Sequence, residues 1–308
     1  MKIRVKKVLG FIWDTGNEFF NDRCPSMAAA ISYYTFFSLP PLLFLLLMLL
    51  GTFLDPQDVS GAILEQIRSL IGTAGAEQVQ VILEQADEPG RRLSIATLVG
   101  FIALAFGATT AFAELQASLN RTWSVEPDPA RGTIRNFLVK RVFSFGLVLV
   151  IAFLLLISLV ISAALVAFGD LLGRQIGELS AVLIQAISLV LSFAVFALLF
   201  AAMFKVIPDA DIAWRDVRIG ALITTLLFML GKLLLGLYLG GVDPGDAYGA
   251  AGSLAVILIW VYYSSMILLL GAEFTRLWAQ RYGGGIEPAK GAVQVVEEKR
   301  PIRRGNGE

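Results

Sequence analysis

Histidine is missing from this chain altogether, and cysteine occurs once, at Cys24. The first absence removes the usual zinc ligand and the commonest general base. The second rules out an internal disulfide and any multi-cysteine metal site. Net charge is absent too: 25 Lys and Arg balance 25 Asp and Glu, a balance that suggests neither nucleic-acid binding nor strong adhesion to acidic surfaces. No G-x-x-x-x-G-K-[ST] loop occurs, so ATP hydrolysis by that route is excluded. No metal, no cofactor, no nucleic-acid partner and no enzymatic activity are therefore expected.

What the chain has in abundance is hydrocarbon. Its hydrophobic content is 56% and its mean hydropathy is +0.73, above the ~45–50% apolar usage of soluble domains. The excess is concentrated in six stretches, about 25–54, 93–113, 142–169, 179–204, 219–242 and 247–272, broken by a charge only at Lys232. Each reaches the ~20 residues a helix needs to cross a bilayer core. The expected fold class is all-α: a polytopic membrane protein built as a bundle of six transmembrane helices spanning 25–282.

The loops give this bundle a direction. Lys and Arg outside the spans number 20 in the N-terminal segment, the 114–141 and 205–218 loops and the tail, against four on the other side. By the positive-inside rule both termini are cytoplasmic, and an even number of spans independently requires them to share a side. The expected location is the bacterial inner membrane.

The segments flanking the spans differ in character. Residues 1–24 open with a basic stretch and continue as an amphipathic run, Val8–Phe20, that contains Asp14 and Glu18 instead of a signal peptide's apolar core. We expect an interfacial elbow helix with Ile12, Trp13, Phe19 and Phe20 along the membrane and its charges toward water. The first outer segment, 55–92, is acidic. Ile63, Ile67, Leu70 and Ile71, and then Val79, Ile82, Leu83 and Ala86, recur at helical spacing around Gly72 and Gly75. Short amphipathic helices are expected there, either capping the bundle or resting on the bilayer. Residues 283–308 form a polar tail of mixed charge, expected to be disordered. Pro40 and Pro41 interrupt the first span, and Gly236 with Gly240 makes a small-residue ladder in the fifth.

Polar residues at membrane depth are the candidates for function. Lys232 lies roughly 16 Å from the outer boundary by helical rise. At a similar level stand Ser158, Ser162, Gln185, Ser188, Ser192 and Trp260, but no carboxylate. Two readings of Lys232 stand side by side: contact with an anionic group of a lipid or small-molecule substrate, or a side chain snorkelling along its stem. At the cytoplasmic ends of the spans, Glu114, Glu273, Lys205 and Arg141 are read as an inner-rim ionic network, with proton coupling through Glu273 as the alternative.

Four segments then make the chain familiar. They are Asp22-Arg23-Cys24-Pro25-Ser26-Met27 continuing through Tyr33-Tyr34 to Pro40-Pro41; Leu119-Asn120-Arg121-Thr122-Trp123; Phe204-Lys205-Val206-Ile207-Pro208-Asp209; and Tyr248-Gly249 with Trp260-Val261-Tyr262 and Leu270-Gly271-Ala272-Glu273. Over about residues 8–282 the chain resembles the YihY/BrkB family of bacterial envelope proteins, once labelled ribonuclease BN. The paired proline departs from the family's more usual single one. The resemblance implies a six-helix inner-membrane protein with cytoplasmic termini, associated with envelope integrity and with export of lipids or other envelope components. The old label fits the residues poorly, because RNA cleavage needs acid–base groups or clustered metal-holding carboxylates in water. Two functions are expected as alternatives: a transporter or lipid-translocation factor whose partners are membrane lipids, or a non-transporting scaffold that docks a periplasmic protein. Reporter fusions at either terminus, and in the 119–135 connection, should report the cytoplasm; a periplasmic signal from any of them would overturn the six-span orientation.

Overall fold

A computed structural model describes residues 2–50, parts of 59–84, 110–129, 178–241 and 252–296. The third expected span, nearly all of the second, and the residues Arg141, Ser158, Ser162, Tyr248 and Gly249 lie outside the described residues. The chain is mostly helical. In order, its elements are α1 (Lys2–Asn21), α2 (Cys24–Leu50), α3 (110–122), β1 (Val125–Pro127), α4 (Glu178–Val206), β2 (Ala210–Ile212), α5 (Trp214–Gly241), α6 (Gly252–Tyr282), β3 (Ile286–Pro288) and β4 (Ala292–Gln294). Among the described residues, three segments are long and apolar enough to cross a membrane: Gln185–Val206, Trp214–Tyr238 and Leu254–Tyr282. They coincide with the fourth, fifth and sixth expected spans. Helix α2 continues through Pro40 and Pro41 to Leu50, so the two prolines do not end it.

Helix α5 shows how the bundle is divided between lipid and protein. Leu222, Leu226, Leu230, Leu233 and Leu237 are exposed along one face, an apolar stripe that water would penalise and hydrocarbon accepts. The opposite face packs on α6 through a reciprocal pair of small residues. A Cβ on Gly220 would stand 1.8 Å from Thr275 Oγ1, and one on Gly271 would stand 1.9 Å from Thr224 Oγ1. Each threonine sits four residues after one of these glycines and returns its hydroxyl to that glycine's carbonyl, Thr224 to Gly220 at 2.7 Å and Thr275 to Gly271 at 2.6 Å. Buried hydroxyls are thus satisfied within their own helix, and the two backbones approach closely. Further along, Gly231 makes room for Tyr263 and Ile267. At Gly236 of the expected ladder, a Cβ meets nothing among the described residues.

Helix α1 lies antiparallel on the end of α6. Phe11 packs edge-on against Phe274, with centroids 5.1 Å apart, and reaches Trp278 and Tyr282. Leu9, Ile12, Trp13 and Phe20 remain exposed, as an interfacial helix would leave them. Phe19 departs from that reading by burying itself in the core. Asp14 and Glu18 depart from it too, because they face arginines of α6. Arg23 closes the elbow to α2 with φ 57°, and its carbonyl accepts from the Ser26 and Met27 amides.

The tail is where the fold differs most from expectation. Residues 286–294 form two short strands where disorder was expected, each antiparallel to a loop of the bundle: β3 pairs with β2, and β4 with β1. Gly285 at φ 81° ends α6 by returning its amide to Ala279, and Gly291 at φ 94° makes the turn between the strands. Asp216, in the first turn of α5 where a negative charge suits the helix dipole, accepts the Gly284 amide at 3.2 Å. Short polar strands carry little apolar periodicity, so composition alone reads this stretch as a tail.

Gly271→Val should lower the thermal unfolding midpoint in detergent, consistent with an overpacking cost of about 1–3 kcal/mol or more, whereas Gly236→Ala should not lower it. Equal melts for wild type and Gly271→Val would refute the reciprocal packing.

Candidate functional site

The loop end of the bundle gathers polar residues from α1, the elbow after it, α2, the end of α3, the turn after α4 and α6. Arg276 is nearly enclosed and takes three carboxylates: Glu273 at 2.9 Å, Glu18 at 3.0 Å and Asp22 at 3.3 Å. Glu273 is wholly buried, and its Oε1 stands 3.9 Å from the Cys24 sulfur. Asp14 and Glu18 of α1, and Asp22 just past its end with its amide still bonded to the Glu18 carbonyl, are spaced by four and so share one face. That face meets Arg281 through Asp14 and Arg276 through the other two. Arg281 also lies over the Phe11 ring at 5.4 Å.

Next to this cluster the ends of α3 and α4 are bolted together. The Asn120 amide donates to Asp209 Oδ2 at 2.8 Å, and its oxygen accepts the Asp209 N–H at 2.7 Å. Gln116 donates to the Ile207 carbonyl at 3.0 Å. The Trp123 indole N–H donates to the Ala272 carbonyl at 3.1 Å, which ties α3 to α6 one residue from Glu273.

Behind this rim, within the bundle, lies an apolar cavity of about 400 Å³. Its walls are Ile31, Thr35 and Leu39 of α2, Leu115 of α3, Phe196, Leu199, Phe200 and Met203 of α4, Phe228 of α5, and Ile257, Trp260, Val261, Ser264, Ser265 and Leu268 of α6. Ile67 and Val79, from the segment joining the first two expected spans, complete it. Both belong to a small packed group with Ile63, Leu64 and Leu83.

The sequence profile of the family described as virulence factor BrkB matches residues 15–294. The chain belongs to the BrkB family. A UPF0761 membrane protein of Pseudomonas aeruginosa (strain LESB58) is 29% identical over 296 residues, covering 93% of this chain and 68% of that one. Another, from Pseudomonas paraeruginosa, is 30% identical over 275 residues, covering 86% and 63%. A third, from Alkalilimnicola ehrlichii, is 29% identical over 326 residues, covering 93% and 70%. No solved structure matches.

The segments that carry the BrkB resemblance meet physically at the rim. Asp22 and Cys24 touch the Glu273–Arg276 pair, Asn120 holds the residue after Pro208, and Trp123 holds Ala272. Pro25 begins α2 beside them. Tyr33 and Tyr34 stack edge-on at 5.4 Å further along α2, outside the cluster.

The expected ionic residues divide. Glu273 is central. Lys205 stands apart, donating to the Ile212 carbonyl at 2.8 Å with Asp211 at 3.9 Å, and Glu114 is half-buried on α3. Of the membrane-depth candidates, Trp260 lines the cavity. Lys232, Ser188 and Ser192 are half-buried and Gln185 is exposed, none of them on the cavity wall. Sequence reading missed the acid stripe of α1 as the partner of Arg276 and Arg281, although its spacing of four was there to be found.

Arg276→Met leaves three acids without their cation and should cost about 3–5 kcal/mol. Arg281→Met, at a half-exposed pair, should cost about 1 kcal/mol or less. Thermal unfolding of the two variants side by side checks the ranking, and the reverse order would refute it.

Proposed function

We propose that this BrkB protein binds a lipid-class amphiphile and moves it between the leaflets of the bacterial inner membrane. The supporting observation is the apolar cavity. An apolar space of about 400 Å³ inside a bundle is surface that water hydrates at a cost and hydrocarbon does not. Water does not fill it well, because a buried water needs two to four polar partners. The wall offers only the hydroxyls of Thr35, Ser264 and Ser265 and the indole N–H of Trp260 for that purpose. Hydrocarbon fills it without penalty, and the membrane supplies hydrocarbon.

The cavity joins α2, α4 and α6 along the bundle interior, with the rim cluster closing the end that the basic loops assign to the cytoplasm. An acyl chain seated against Phe200, Phe228 and Trp260 would leave its headgroup toward polar surroundings. Lys232, half-buried on α5, is the cation available to an anionic headgroup travelling along the outside of that helix. This reading prefers transport to a scaffold because a scaffold needs no internal apolar space.

Proteoliposomes containing the full chain and a fluorescent phospholipid should redistribute the label between leaflets. Ser264→Trp, which fills the cavity, should slow this by about tenfold, equivalent to roughly 1.4 kcal/mol in barrier. Folded, reconstituted protein that moves no lipid would overturn the proposal and favour the scaffold.

A further inference from the structure

The rim cluster contains an unresolved hydrogen-bond account. Glu273 Oε2 and Asp22 Oδ2 are both buried, and both are held by the Arg276 guanidinium, at 2.9 Å and 3.3 Å, without a well-directed hydrogen bond to either. Their shared seat on one guanidinium brings the two carboxyl groups side by side. Ionised carboxylate oxygens can only accept, so neither can donate to the other.

We propose that Asp22 and Glu273 form a proton-binding site that holds one proton between the two carboxyl groups. A proton on either oxygen turns an acceptor into a donor, and the pair becomes O–H···O⁻, a short charge-assisted bond that satisfies both atoms. The balance is simple: one carboxylate and one H⁺ become one carboxylic acid, and no other bond changes.

The charges around the pair favour this occupancy. α1 contributes Glu18, the elbow after it Asp22, α2 the Cys24 thiol, and α6 Glu273 and Arg276. From the end of α3 and the turn after it come the hydroxyls of Thr122, beside the Cys24 thiol, and of Ser124, which accepts from Arg276 at 3.4 Å. Among the described residues, three carboxylates therefore share one guanidinium. Two carboxylates in one site cannot both ionise without mutual repulsion, and one bound proton relieves it. The site couples to the fold because its members sit on both sides of the Arg23 elbow. When the proton leaves, two negative charges oppose each other across the α1–α6 contact.

This inference does not depend on the lipid reading. Its test is infrared spectroscopy of the full chain in lipid nanodiscs at neutral pH, looking for the C=O stretch that a protonated carboxyl shows and an ionised one lacks. The wild type should show the band, and ¹³C-labelling of Asp and Glu should shift it. Both Glu273→Gln and Asp22→Asn should abolish it, because each leaves the remaining carboxylate of the pair at Arg276 without the neighbouring carboxyl that shares the proton, Glu18 being the other acid there. If Glu273→Gln does not fold, Asp22→Asn, at the half-exposed edge of the cluster, carries the comparison. A wild type without the band, or a band that persists in Asp22→Asn, would overturn the shared proton.

Discussion

The guanidinium of Arg276 is the point on which the loop end of this protein turns. It is buried where a lone charge would be costly to desolvate, and it is tolerated because α1, α2 and α6 bring acids and a thiol to it from sequence positions more than 250 residues apart. Everything else at the rim is arranged around that charge. Helix α1 is held against α6 by its acid face, the α1–α2 elbow is fixed by Asp22 on one side and Cys24 on the other, and Trp123 pins the end of α3 to the same turn of α6. The recognisable segments of the family are the ones that make these contacts. Their physical content is the assembly of one polar knot at the end of an apolar bundle.

Much of this architecture was legible in the residues because membrane constraints are strong. Long hydrocarbon runs, broken only by Lys232 in α5, announce the spans of α4, α5 and α6, and the exposed leucines of α5 follow the same logic. Pairing was harder to read. The acids of α1 signal a face through their spacing, but nothing local says that the face meets α6. Gly220 and Gly271 were ordinary small residues in the sequence; their role depends on two helices crossing with each glycine opposite the other's threonine. The strands of the tail were invisible for a related reason. Three-residue ladders gain their stability from partners elsewhere in the chain, and polar composition hides them.

The cavity and the knot divide the labour between two kinds of physics. The cavity walls are held by aromatic packing of Phe196, Phe200, Phe228 and Trp260, with ring centroids between 4.9 and 6.1 Å, and such contacts are insensitive to pH. The knot is governed by charge. Trp123 reaches both: its ring lies 6.3 Å from Phe204, which in turn stacks near Phe200, while its N–H grips the backbone beside Glu273. A change in the charge state at the rim therefore has a short, packed route to the apolar interior.

The strand pairs also impose a schedule on synthesis. Both β1 and β2 must wait for partners that follow the last span, β4 and β3 respectively. The two loops therefore leave the ribosome with open backbone edges, and so does α1 with its acids uncompensated until Arg276 arrives. Helices inserted early are left to find lipid-phase neighbours first, and the assembly locks only once α6 and the two strands after it have emerged.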